Sequence, residues 1–202
     1  MLRTMNSVLA LAGGLLVSTA AWSAGPSGAL LAGTCAGCHG TNGASVGPAS
    51  PTIAGMTVDT FTESMKGFQK KAGDEGYRPA TIMDRIAKGY TDDEIKAMAE
   101  YFAKQKFVRV QQPAVDAAKA KEGKKLHDDY CEKCHTDEGR KDEDGSSVLA
   151  GQWLQYLQFT AEDFHSGARE MPKKMKSRIE AMGREAGADG LDKVMHFYAS
   201  QK

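Results

Sequence analysis

The chain has 202 residues, of which 26 are basic and 26 acidic, for a formal net charge of zero. That balance argues against a nucleic-acid partner or an anionic membrane surface, both of which select a basic excess. The length suits two domains of fewer than about a hundred residues each, and cores that small need a staple.

In chain order, Arg3 precedes the apolar run Val8–Val17, and small residues follow from Ser18 to Ala24. This is the positive, apolar and cleavable pattern of an export signal. The run falls short of the ~18 apolar residues that a membrane-spanning helix needs. Residues 1–24 are therefore read as a signal peptide, cut between Ala21 and Ala24, with the mature chain in the periplasm and no membrane insertion afterwards.

A helix is expected at Ser27–Thr34, leading into Cys35-Ala-Gly-Cys38-His39. Two thiols three residues apart can each form a thioether to a porphyrin, and the adjacent histidine reaches its iron from the same turn. The pattern recurs as Cys131-Glu-Lys-Cys134-His135, so all four cysteines of the chain are used. A zinc knuckle would want paired motifs about 15–20 residues apart. A thioredoxin-like pair would want a βαβ setting, and a disulfide inside such a motif is strained. The motifs imply two covalently bound haem c groups, with Cys35, Cys38, Cys131 and Cys134 as attachment points and His39 and His135 as proximal iron ligands.

An offset of 96 residues relates Cys35 to Cys131, Ile53-Ala-Gly to Leu149-Ala-Gly, Phe68 to Phe164, and Tyr101-Phe-Ala to Phe197-Tyr-Ala. The chain thus reads as a tandem repeat. A first domain spans 25–107 and a second 116–202, joined by a proline-bearing linker at 108–115 with no helical apolar period. Within each half the elements are short helices. A middle helix carries Phe61, Met65 and Phe68, and its counterpart Trp153, Tyr156, Leu157 and Phe164. A capping box at Thr91-Asp-Asp-Glu94 opens a last helix with Ile95, Met98, Ala99 and Phe102 on its core face. Its partner carries Leu191, Val194, Met195 and Tyr198, and a helix at Val115–Tyr130 precedes the second motif. No alternating strand pattern appears. The fold class is all-α, with two tandem domains each wrapped around one haem.

The sixth iron ligand decides what each haem does, and methionine there suits electron transfer. Met83 is the first-half candidate, because it ends the loop after Phe68 and precedes the last helix. Met56, Met65 and Met98 compete with it, the last two as core residues. In the second half the offset from Met83 falls on Ile179, flanked by Met171, Met175 and Met182. Met175 is favoured, since it ends the corresponding loop after Phe164. Met171 comes second, and Met182 has the spacing of a core residue. The remaining histidines, His127, His165 and His196, are expected to be surface or satisfied residues. The loop Gly47-Pro48-Ala49-Ser50-Pro51 offers a backbone carbonyl to the proximal imidazole, whereas the second half has Ser147 at the offset of Pro51, so the two haems are not expected to be electronically identical. Trp153, Tyr156 and Phe159 are expected in the core.

Each half resembles a class I cytochrome c, and the whole is similar to the soluble dihaem cytochromes c. The nearer likeness is to the dihaem cytochrome subunit of flavocytochrome c sulfide dehydrogenase, through Cys35–Gly40, Ser45–Pro51, Thr81–Tyr90, Tyr130–His135, Leu149–Trp153 and Phe197–Gln201. The resemblance implies an electron-transfer subunit with no catalysis of its own. It would take electrons from a sulfide-oxidising flavoprotein (FAD) subunit and pass them to a c-type cytochrome acceptor. A free-standing dihaem carrier between respiratory complexes and a terminal oxidase is the alternative, and a dihaem peroxidase would require an open iron site.

Overall fold

The computed structural model describes residues 25–109, 112–143 and 145–202. The export-signal reading falls on residues 1–24, outside that range. Among the described residues ten α-helices follow one another: α1 (Gly28–Gly33), α2 (Ala36–His39), α3 (Val58–Gln69), α4 (Met83–Ile86), α5 (Asp92–Phe102), α6 (Ala117–Tyr130), α7 (Thr136–Gly139), α8 (Leu154–His165), α9 (Lys173–Ala186) and α10 (Gly190–Ser200). The only extended pairing among the described residues is an isolated bridge between Glu143 and Ser146.

Local chemistry sets the helix starts. Ser27 caps α1, Thr57 caps α3, and Asp116 caps α6 by accepting from the N–H groups of Ala118 and Lys119 at 2.8 and 3.0 Å. Thr91 and Glu94 form the expected reciprocal capping box at the start of α5. Each cap satisfies N–H groups that have no partner inside the helix.

Two separate cores result. In the first, Phe61 and Met65 of α3 pack with Ile95, Met98, Ala99 and Phe102 of α5 and Leu31 of α1. In the second, Leu154 and Leu157 of α8 meet Met182 of α9 and Val194, Phe197 and Tyr198 of α10. Phe159 departs from the sequence expectation: it is 51% exposed, because it lies on the face of α8 turned away from this core.

The repeat is visible in the backbone bonds. Ile53 and Ala54 both donate to Gly43 O, and Gly55 donates to Phe102 O; Leu149 and Ala150 both donate to Gly139 O, and Gly151 to Tyr198 O. Every donor and acceptor in the first set maps onto the second at the 96-residue offset. The terminal helices of each half also cross in the same way. A Cβ added to Gly28 of α1 would sit 2.2 Å from Ala97 O of α5, and one added to Gly123 of α6 would sit 2.0 Å from Lys193 O of α10. Only glycine permits so close a backbone approach.

Described residues of the 108–115 stretch pack against the second half. Arg109 Nε donates to Ala150 O at 3.1 Å, and Gln112 is buried. No helix lies between Phe102 and Ala117 among the described residues.

Two outcomes test this frame. Gly123→Ala forces α6 off α10 and is expected to lower unfolding stability by about 1–3 kcal/mol in a denaturant titration, as overpacking does. The two N–H bonds from Lys119 and Ala118 hold the Asp116 carboxyl below its ordinary range. Its folded value is depressed, so its contribution is present above about pH 4 and is lost as pH falls through the folded value. Asp116→Ala is therefore expected to flatten the acid side of a stability–pH curve.

Candidate haem sites

Both cysteine motifs adopt one tight helical turn. Cys38 and His39 donate their N–H groups to Cys35 O at 3.2 and 2.9 Å, and Cys134 and His135 donate theirs to Cys131 O at 3.1 and 3.0 Å. In each pair the first thiol is half-buried and the second exposed, and no disulfide joins them. Burial pushes the Cys131 thiol up to about 11 and raises Cys35 as well. These are unreactive thiols at neutral pH until a partner reaches them.

The histidines of the two motifs differ. His39 is buried, and its Nδ1 lies 2.8 Å from Pro51 O. A carbonyl only accepts, so Nδ1 carries the proton and the other ring nitrogen keeps its lone pair for iron. Burial lowers the His39 pKa, against the pull of the Pro51 bond, which favours the neutral ring that a metal needs. His135 is likewise lowered, first by burial and then by the nearby His127. Its Nδ1, however, is buried without any partner. The sequence pointed to a carbonyl from the Gly47–Pro51 loop, and Pro51 supplies it; His135 has no such acceptor.

The methionine candidates separate by position. Met83 is the first residue of α4 and packs half-buried at the edge of the first core. Met175 is not the end of a loop, as the sequence suggests, but lies in the first turn of α9, since Pro172 starts the helix earlier. Met182, on the same helix, is 1% exposed within the second core. Met171 lines a cleft of about 1020 Å³ at the seam of the two halves, together with Glu75, Tyr77, Phe164, Arg169 and Ile179.

Behind the second motif lies a buried polar group that the sequence reading treated as ordinary. His127 is 0% exposed; its Nδ1 meets the Tyr198 hydroxyl at 2.9 Å and its Nε2 meets the Glu132 carboxylate. At the repeat offset the first half has Leu31, Phe102 and Ala36. Burial raises the Tyr198 phenol, aided by the adjoining Cys131. The 96-residue comparison, made position by position, was the available signal. Tyr198→Phe strips a partner from a buried imidazole and is expected to cost about 1–3 kcal/mol of unfolding free energy, whereas Phe102→Tyr at the equivalent position inserts a hydroxyl among apolar groups and is also destabilising.

Residues 27–106 match the family model described as cytochrome c. The chain is 41% identical over 75 residues to the cytochrome subunit of sulfide dehydrogenase of Chlorobaculum tepidum, an alignment covering 37% of this chain and 63% of that one, which is less than two thirds of its length. It is 35% identical over 104 residues to cytochrome c-553 of Nitratidesulfovibrio vulgaris, covering 50% of this chain and 92% of that one. The fold matches the crystal structure of reduced cytochrome c4 from Pseudomonas stutzeri with a TM-score of 0.72 at 23% identity, over 87% of this chain and 97% of that one. With two haem-attachment motifs at equivalent places in two halves of this fold, the chain carries two haem c groups and belongs to the cytochrome c family.

Proposed function

We propose that this electron carrier works as the periplasmic dihaem subunit of a sulfide-oxidising flavoprotein, passing electrons through its two haems to a c-type cytochrome. The observation that carries the reading is the pairing of two equivalent haem motifs in halves tied to each other by hydrogen bonds. Trp153 Nε1 donates to Ser45 O at 3.2 Å, Tyr156 N to Pro48 O at 3.1 Å, and Thr57 N to Asp142 Oδ2 at 2.8 Å. Such ties suit a short electron path inside one molecule. The flavoprotein partner rests on the resemblance of the chain to flavocytochrome subunits, which the likeness over 75 residues to a sulfide dehydrogenase cytochrome subunit supports.

In this reading His39 and Met83 hold the first iron, and His135 and Met175 the second. Met83-Asp-Arg-Ile and Met175-Lys-Ser-Arg-Ile each lie at the start of a helix that follows the middle helix of its half, which supports Met175 over Met171. Held by one histidine and one methionine each, the two haems would supply one-electron chemistry without a free position for an exogenous ligand. Two arginines at the seam are available to the haems' carboxylates. Arg78 lies over the Phe68 ring and donates to the Ser64 and Tyr156 hydroxyls at 2.5 and 2.9 Å, all neutral partners. Arg169 lies over the Phe164 ring and is pushed down to about 10 by burial and by Arg78. Asp163 already bears on both cations, and a haem carboxylate would add to it.

A proximal imidazole that donates Nδ1–H to a carbonyl is more basic and favours ferric iron. His39 has that bond and His135 lacks it, so the first haem is expected to titrate at the lower potential. Potentiometric titration of the holoprotein checks this, and two coincident midpoints would sink it. Reduced protein is expected to show no spectral change with carbon monoxide, whereas Met83→Ala and Met175→Ala each open one iron to it. Purification of the native protein gives the partner test: flavin and a second polypeptide co-eluting support the proposal, while a two-haem monomer without flavin supports a free carrier.

A further inference from the structure

The loop that presents the Pro51 carbonyl to His39 is gripped from the other half. Thr52 is buried, and both of its backbone polar groups are taken by one side chain. Thr52 N–H donates to Gln152 Oε1 at 2.9 Å, and Gln152 Nε2 donates to Thr52 O at 3.0 Å. Gln152 is itself 3% exposed, and its Oε1 also accepts from Trp153 N at 3.2 Å. A second amide backs the first. Gln112 Nε2 donates to Gln152 O at 2.8 Å, and Gln112 Oε1 accepts from Leu154 N at 2.7 Å.

The Thr52 N–H and the Pro51 C=O belong to the same planar peptide. That amide accepts from His39 Nδ1 on one edge and donates to Gln152 Oε1 on the other. Hydrogen bonds joined through one amide polarise each other, so the bond to Gln152 strengthens the bond to His39 as well as aiming it. The relation runs one way. At the repeat offset Met56 stands for Gln152 and Val148 for Thr52, and His135 Nδ1 has no acceptor at all.

We propose that Gln152 is a positioning residue for the iron ligand of the opposite domain, setting the reduction potential of the first haem through the 51–52 peptide. This rests on His39 being the axial ligand of that haem, which hyperfine-shifted His39 ring resonances in the unaltered holoprotein establish independently. The hydrogen bonds of Gln152 go to Thr52, Gln112 and Trp153, so its link to His39 runs through the 51–52 peptide.

The test is Gln152→Met in the holoprotein, which installs the residue that the repeat places in the first half at nearly the same length. Each haem's oxidation state is followed during potentiometric titration by its own NMR-assigned methyl signals. At a fixed applied potential, the oxidised-to-reduced ratio of the first haem is expected to fall about fivefold, the effect of losing one ordinary hydrogen bond. The second haem is expected to stay at its original ratio, and the His39 Nδ1 proton to exchange faster with solvent. An unchanged first haem, or an equal shift of both haems, would overturn the proposal. Gln152→Glu keeps an oxygen for Thr52 N–H and is expected to hold the first haem at or below its original potential. Should Gln152→Met fail to fold, a raised first-haem potential in Gln152→Glu would overturn the proposal instead.

Discussion

Everything in each half hangs on the crossing of its first and last helices. Where Gly28 meets Ala97, and where Gly123 meets Lys193, the backbones approach to a distance that no side chain survives. That crossing puts the cysteine turn at the end of one helix beside the aromatic face of the other. The rings of Phe102 and Tyr198 then press on Gly43 and Gly139, and the loops carrying Gly55 and Gly151 close on the carbonyls of the same two aromatics. A covalent haem adds a large apolar body to cores that are small by themselves. The helical frame decides where that body sits, and the loops decide what the iron feels.

The frame was legible in the sequence because it is written in periodic signals. Capping residues, the 96-residue offset and the spacing of Ile95, Met98, Ala99 and Phe102 each report a local rule that tertiary contacts do not override. The loop that supplies a carbonyl to His39 was legible too, although which of its residues does so was not. Other features left no local trace. Phe159 is a large aromatic of the kind usually buried, yet it faces outward, because the side of α8 that is covered depends on where α9 and α10 lie. Met175 looked like a loop end because the stretch after Phe164 was matched to the one after Phe68, whereas Pro172 begins a helix there. Gln152 gave no signal, because a glutamine reveals its purpose only when both of its amide atoms meet partners 100 residues away.

The halves diverge most where they face their histidines. The first half puts Leu31, Phe102 and Ala36 in that region and a carbonyl on His39. The second puts His127, Tyr198 and Glu132 there and leaves His135 Nδ1 unaccompanied. A buried chain of polar groups is costly unless each member is satisfied, and here the tyrosine and the carboxylate satisfy the imidazole between them. Two sites that share a backbone to the level of single hydrogen bonds therefore place their irons in chemically distinct surroundings.

The grip of residues 152–156 on the 45–52 loop bears on how such a molecule arises and whether it comes apart again. A duplicated gene starts as two self-sufficient copies, either of which can be lost. Once Thr52 hands both of its backbone groups to Gln152, the first copy cannot be excised without burying an unpaired donor and acceptor or flooding the loop with water. The second copy bears no matching debt at Val148. The Tyr156 N–H and the Trp153 indole of the second copy lean in turn on Pro48 O and Ser45 O, so divergence has left each half with a dependence of its own, and a single-haem form cut from either side would bare donors or acceptors that the pair satisfies.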